Sequence, residues 1–176
     1  RIQLLKEVAP SIRRLMILHY PVGEAKGVVA AMKLAATSLS LDAMFVEAGA
    51  VDTFETAFAR AKQEGADALV ASASAYLNYN RKPLIALAAQ YRLPSVWETN
   101  VYVRDGGLMS YGPNFPDMYR RSAGYIAKIL RGAKPGELPV QQPIKFELAV
   151  NVKTAAALGI TVPPTILARA DDRERL

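Results

Sequence analysis

The regular beat of short apolar runs and helical segments constrains this chain most. RLMILHY (14–20), DAMFVEA (42–48), DALVASA (67–73) and LPSVWE (93–98) each have the length and composition of a buried strand. Between them lie EAKGVVAAMKLAATSLS (24–40), TFETAFARAKQEG (53–65) and a segment near RKPLIALAAQY (81–91), all with helical spacing. Val28, Met32, Ala35 and Leu39 share one stripe of the first helix, and Phe54, Ala57, Phe58 and Ala61 one face of the second. Thr53 is positioned as a cap and Gly65 as a stop. Strands that alternate with helices of this length build βαβ units, hence a parallel sheet flanked by helices on both faces: an α/β fold.

After residue 100 the beat changes. GGLMSYG (106–112) is a short strand, and NFPDMYRRSAGYIAKILRG (114–132) a helix capped by Asn114 and ended by Gly132. Met118, Ser122, Tyr125, Ile126 and Ile129 lie on one side of it and are expected to be core. A Pro-rich connection (133–143) leads to a strand KFELAVN (145–151), a short helix KTAAALGI (153–160) and a last turn (162–170). One such set is too little to cover a sheet, so residues 106–176 are expected to belong to a second lobe whose other strands lie elsewhere.

The totals exclude several classes. At 176 residues and 51% apolar composition, the chain holds one sizeable core or slightly more. It has no Cys, so disulfide and thiolate chemistry is absent, which fits cytosol and periplasm equally. The net charge of +6 is dispersed over helix surfaces, without aromatic interleaving or a nucleic-acid motif, so no nucleic-acid partner is expected. No apolar run approaches the ~20 residues of a membrane span. The opening RIQLLKEVAP reads as a helix entered partway, so the want of a basic-then-apolar leader there says nothing about export.

In an open parallel sheet, ligands bind beyond the carboxyl ends of the strands. The loops expected there carry Tyr20, Ser72, Ser74, Tyr76, Asn78, Tyr79, Trp97, Glu98, Thr99, Asn100 and Tyr102. Such a rim of phenols, hydroxyls and amides suits a small organic solute with one charged end. Rival motifs fail. GEAKG has the wrong Gly spacing for a P-loop or dinucleotide fingerprint, and SASAYL lacks an esterase elbow. His19 is the sole His, so no His-based metal site is expected; it reads as a packed or rim residue. Glu98 and Asp105 are the acid–base candidates, but no pair is fixed. Trp97 either stacks on a solute or fills the core; Ser72 and Ser74 either bind or cap and turn.

GGLMSYGPN, ILRGAKPGELPVQQP, KFELAVN and the ending ALGITVPP to LARAD closely resemble the C-terminal part of bacterial ABC-transporter substrate-binding proteins. The group is the tryptophan- and tyrosine-type one. The stretch from LLKEVAPSIRRLMILHYP through RLPSVWE is similar too. The resemblance implies a type I periplasmic-binding-protein fold, in which two lobes close on a solute without catalysis or cofactor. Residues 1–103 would be one α/β ligand-binding lobe. Residues 104–176 would be the hinge crossing and the C-terminal part of the other, N-terminally truncated lobe.

The implied partners are a small solute such as an amino acid or aromatic acid, an ABC permease in the membrane, and the missing N-terminal lobe. The implied location is the periplasm. The implied ligand contacts are Tyr20, Pro21, Val22 and Gly23 after the first strand; Ser72, Ala73 and Ser74 after the third; Trp97, Glu98 and Asn100 after the fourth; and Tyr111 at the hinge. No catalytic or metal residue is implied. Tyr20 and Val22, where relatives often carry a polar Asn-containing loop, point to a more apolar solute. The same fold also serves as a ligand-sensing domain of regulators or receptors, which is the alternative. A hydrolase or transferase is a third reading, without motif support.

Overall fold

The computed structural model describes residues 1–20 and 27–174. Helix α1 (Ile2–Val8) leads into β1 (Arg14–His19), α2 (Val28–Ser38), β2 (Asp42–Glu47), α3 (Phe54–Gln63) and β3 (Ala68–Ala71). Two helices, α4 (Ala75–Tyr79) and α5 (Arg81–Gln90), precede β4 (Ser95–Trp97). Then come α6 (Asn100–Arg104), β5 (Met109–Pro113) and α7 (Phe115–Leu130). The chain closes with β6 (Phe146–Asn151), α8 (Val152–Ala157), α9 (Pro164–Arg169) and β7 (Asp172–Glu174).

The strands form one sheet in the order β2-β1-β3-β4-β5-β6-β7. β1 to β5 run parallel; β6 is antiparallel to β5, and β7 parallel to β6. The four expected strands and three expected helices of the first hundred residues are all present among the described residues.

Alternation along each strand divides the core into two layers. Leu15 and Ile17 face α1, α2, α8 and α9, together with Val70, Val96 and Ile166. Met16 and Leu18 face α3, α5 and α6, together with Phe54, Phe58 and Trp97. β1 and β3 are buried on both faces, which explains why their sequences read as unbroken apolar runs. Asp67 pins the start of β1: its two carboxylate oxygens accept from the amides of Arg13 at 2.8 Å and Arg14 at 2.9 Å. Thr53 does not cap α3; its hydroxyl donates to the Ala50 carbonyl at 2.6 Å.

The segment expected in another lobe is distributed differently. β5, β6 and β7 extend the same sheet, and what stands outside it is α7 with the connection after it. No residue of α7 is buried, although its apolar stripe was expected to be core: Ile126 is 56% and Ile129 40% exposed. Periodicity made the helix and fixed its face, but only the chain's own connection crosses that face among the described residues. There the Tyr125 hydroxyl donates to the Pro139 carbonyl at 2.5 Å, and Arg121 to Gln141 at 2.6 Å.

Candidate functional site

The carboxyl ends of β3, β4 and β5 converge with α4, α6 and the start of α7. Between them lies an open cavity of about 640 Å³. One wall comes from the helix and turn that follow β3 and β4. Ser74 caps α4, accepting from the Leu77 amide at 3.5 Å, and so brings Asn78 to the cavity. After β4 the chain turns through Glu98 and Thr99 into α6, which places Glu98, Thr99 and Asn100 on the same wall.

The facing wall is the exit of β5. Gly112 lies so close to the Glu98 carbonyl that a Cβ there would stand 1.9 Å from its oxygen. Asn114 then holds two things at once. Its Oδ1 accepts from the Asp117 amide at 2.6 Å, capping α7, and its Nδ2 donates to Glu147 of β6. The antiparallel register pairs Gly112 with Glu147, so β6 delivers a second carboxylate to the cavity. Phe115, Pro116 and the exposed Tyr119 supply its apolar side. Asn114→Ala removes both bonds and is expected to cost about 1–2 kcal/mol, read as a lowered denaturation midpoint.

Polarity here is unbalanced. The side-chain oxygens of Ser72, Asn78 and Thr99 are buried without a hydrogen-bond partner among the described residues. Such atoms are uncommon in a folded interior and mark places where something else completes the bonding. Burial raises the Glu98 carboxyl above the usual range, partly offset by the Arg1 guanidinium. Arg1 itself donates to the Ala71 carbonyl at 2.9 Å, and burial also pushes the Tyr102 phenol up. Among the described residues no group of three or more His, Asp or Glu is placed to hold a metal ion.

The expected site residues separate into three sets. Glu98 and Asn100 line the cavity directly. Ser72, Ala73, Ser74 and Tyr20 lie at the same sheet edge but not in its lining. Ser72 is buried, with its amide bonded to Leu18 at 2.8 Å, and Ala73 is exposed. Tyr20 stacks on Tyr76 at 4.2 Å, and the Tyr76 hydroxyl donates to the Gly49 carbonyl, which joins three loops of the rim. Pro21, Val22 and Gly23 lie outside the described residues.

The third set points elsewhere. Trp97 is fully buried, stacked on Tyr102 at 4.7 Å, and donates its indole N–H to Ser95 at 2.9 Å. Its ring fills the core instead of facing the cleft, because residue 97 shares a strand face with Ser95. Tyr111 stacks on Phe146 at 5.8 Å across the β5–β6 pair.

Asn78 and Thr99 stand in loops already singled out for the rim, while Asn114 read as a helix cap and Glu147 was not expected. Glu147 carries no local signal at all, since strand pairing alone brings it here.

The sequence profile described as ABC transporter substrate binding protein matches residues 1–174. No curated protein matches the sequence. Among solved structures, a conserved domain protein from Vibrio cholerae aligns with a TM-score of 0.88 at 28% identity, over 98% of this chain and 58% of that one. A Streptococcus pneumonia ABC domain in complex with L-Trp aligns with a TM-score of 0.90 at 21% identity, over 98% and 59%. The ligand-free, open structure of a Clostridium difficile substrate-binding protein with adhesive properties gives 0.70 at 19%, over 97% and 57%. The chain thus spans less than two thirds of the length of each of these relatives.

Proposed function

The chain belongs to the ABC transporter substrate-binding protein family, and from that premise we propose that it is the larger part of a solute receptor. It captures a small organic solute, an amino acid or aromatic-acid-like molecule, in the cleft bounded by Glu98, Thr99 and Asn100 on one side and Asn114 on the other. It then presents that solute to a membrane permease from the periplasmic side, without catalysis. The sheet from β1 to β7 forms one lobe. The bare face of α7, on residues 104–176, is covered by a lobe whose remaining strands lie in sequence beyond these 176 residues.

The observation that carries this reading is the cavity with buried, unpartnered oxygens of Asn78 and Thr99 at the carboxyl edge of a parallel sheet. Closure follows if a solute makes contacts in the closed form that the open form lacks. The L-Trp held by the pneumococcal relative makes amino acids the first solutes to try.

The decisive experiment is a thermal-shift and calorimetry screen of amino acids, aromatic acids, sugars and organic acids against the full-length two-lobed protein. One or a few are expected to raise the melting temperature by several degrees with micromolar or tighter affinity. Absence of any binder in such a panel would sink the capture reading.

A further inference from the structure

Within that capture reading, on which this inference rests, we propose that Asn78, Glu98 and Thr99 form a subsite for a primary ammonium group. The solute is then an organic amine or an amino acid whose cationic end faces this lobe.

The argument starts from the atoms left over once the protein's own bonds are made. Asn78 Oδ1 can only accept a hydrogen bond, and it is buried without a partner among the described residues. Thr99 Oγ1, equally buried and unpartnered, can accept as well as donate. Glu98 adds an anionic acceptor on the same wall, with Arg1 as its charged neighbour. An ammonium group offers three donors and a positive charge, which matches this set.

Two of the nearby cations are paired, Arg81 with Asp105 at 2.7 Å and Arg104 with Asp172 at 3.3 Å, and Arg1 acts on Glu98 itself. A solute carboxylate placed here would instead meet Glu98 and Glu147, two like charges, in a partly desolvated cavity. The apolar flank of Phe115, Pro116 and Tyr119 receives the body of the solute. Arg1 and Tyr102 face Glu98, and Arg104 and Glu147 line the same cavity. Arg1 keeps the site from carrying a full uncompensated charge while it is empty.

The test uses the full-length two-lobed protein and two matched series. One is L-phenylalanine, phenethylamine, N-acetyl-L-phenylalanine and 3-phenylpropionate; the other is the corresponding leucine set. Binding is expected only with a free ammonium, and acetylation or loss of the amine is expected to weaken it at least about 100-fold. Glu98→Gln is expected to weaken the amines at least about tenfold.

The same variant has an opposite effect on stability, which separates binding from folding. Because burial raises the folded-state pKa of Glu98, its ionisation is unfavourable in the fold. That cost is absent at acid pH and grows as pH rises through the raised value. Glu98→Gln therefore melts slightly higher than the parent at pH 7, and the gap closes on acidification.

Equal binding of 3-phenylpropionate and L-phenylalanine, or unchanged amine affinity in Glu98→Gln, overturns the subsite and leaves capture standing. If none of the eight compounds binds, the subsite falls, and capture is judged on the broader panel alone.

Discussion

Gly112→Ala is expected to be among the most damaging single-methyl changes in this protein, destabilising it by about 3 kcal/mol and abolishing solute binding. A Cβ at this position would stand 1.9 Å from the Glu98 carbonyl oxygen and 3.0 Å from its carbon. The obstacle is backbone, so no rotamer change relieves it. Either β5 or the turn at Glu98 and Thr99 must move, and both are walls of the cavity. The β4–β5 pairing is short, Val96 to Met109 and Trp97 to Ser110, and gives little resistance to being pried apart.

Gly124, in the middle of α7 with nothing within 4 Å of its added Cβ, is the control. Gly124→Ala is expected to stabilise by up to about 1 kcal/mol, because alanine loses less backbone freedom in a helix. Urea titrations of the two variants give the answer. A Gly112→Ala protein with parent-like midpoint and affinity would show that the two walls are not in the contact described.

The sequence carried the strands well where burial is two-sided. RLMILH reads as a strand because every residue from Leu15 to Leu18 is enclosed, whichever face it points to. Asn114 was equally plain as a cap, since capping chemistry is local and the helix pattern begins right after it. α7 marks the boundary of such reasoning. Its stripe shows which face seeks apolar cover, yet nothing local says whether that cover lies within these residues.

The candidate site was legible only in part, for a related reason. Glu98 and Asn100 follow from the rule that ligands sit beyond strand ends, which needs only the order of elements. Glu147 joins them through its register opposite Gly112, a pairing across 35 positions that leaves no trace in periodicity. Tyr20 was read as a contact for an apolar solute. Its ring stacks on Tyr76, which no spacing of the two residues announces.

Trp97 turns this difference into a measurement, because it is the chain's only tryptophan. A ring stacked on a solute would be quenched or shifted as the solute binds. A ring enclosed between Ser95, Tyr102 and Gly107 would not, and would be shielded from aqueous quenchers. The folded protein is therefore expected to emit at short wavelength, to resist iodide, and to change little when the cleft fills; unfolding should shift the emission to the red.

Trp97→Ala is expected to cost about 3–5 kcal/mol, since a large buried ring is lost and the site cannot collapse fully around the gap. That is a large share of the 5–15 kcal/mol that holds a typical domain together, so the variant should be largely unfolded at 37 °C or close to it. Trp97→Phe keeps much of the packing against Tyr102 but leaves the Ser95 hydroxyl short of a donor, and should fall between the two. Strong solute-dependent quenching of the parent, with Trp97→Ala folded but unable to bind, would move this ring from the core to the cleft.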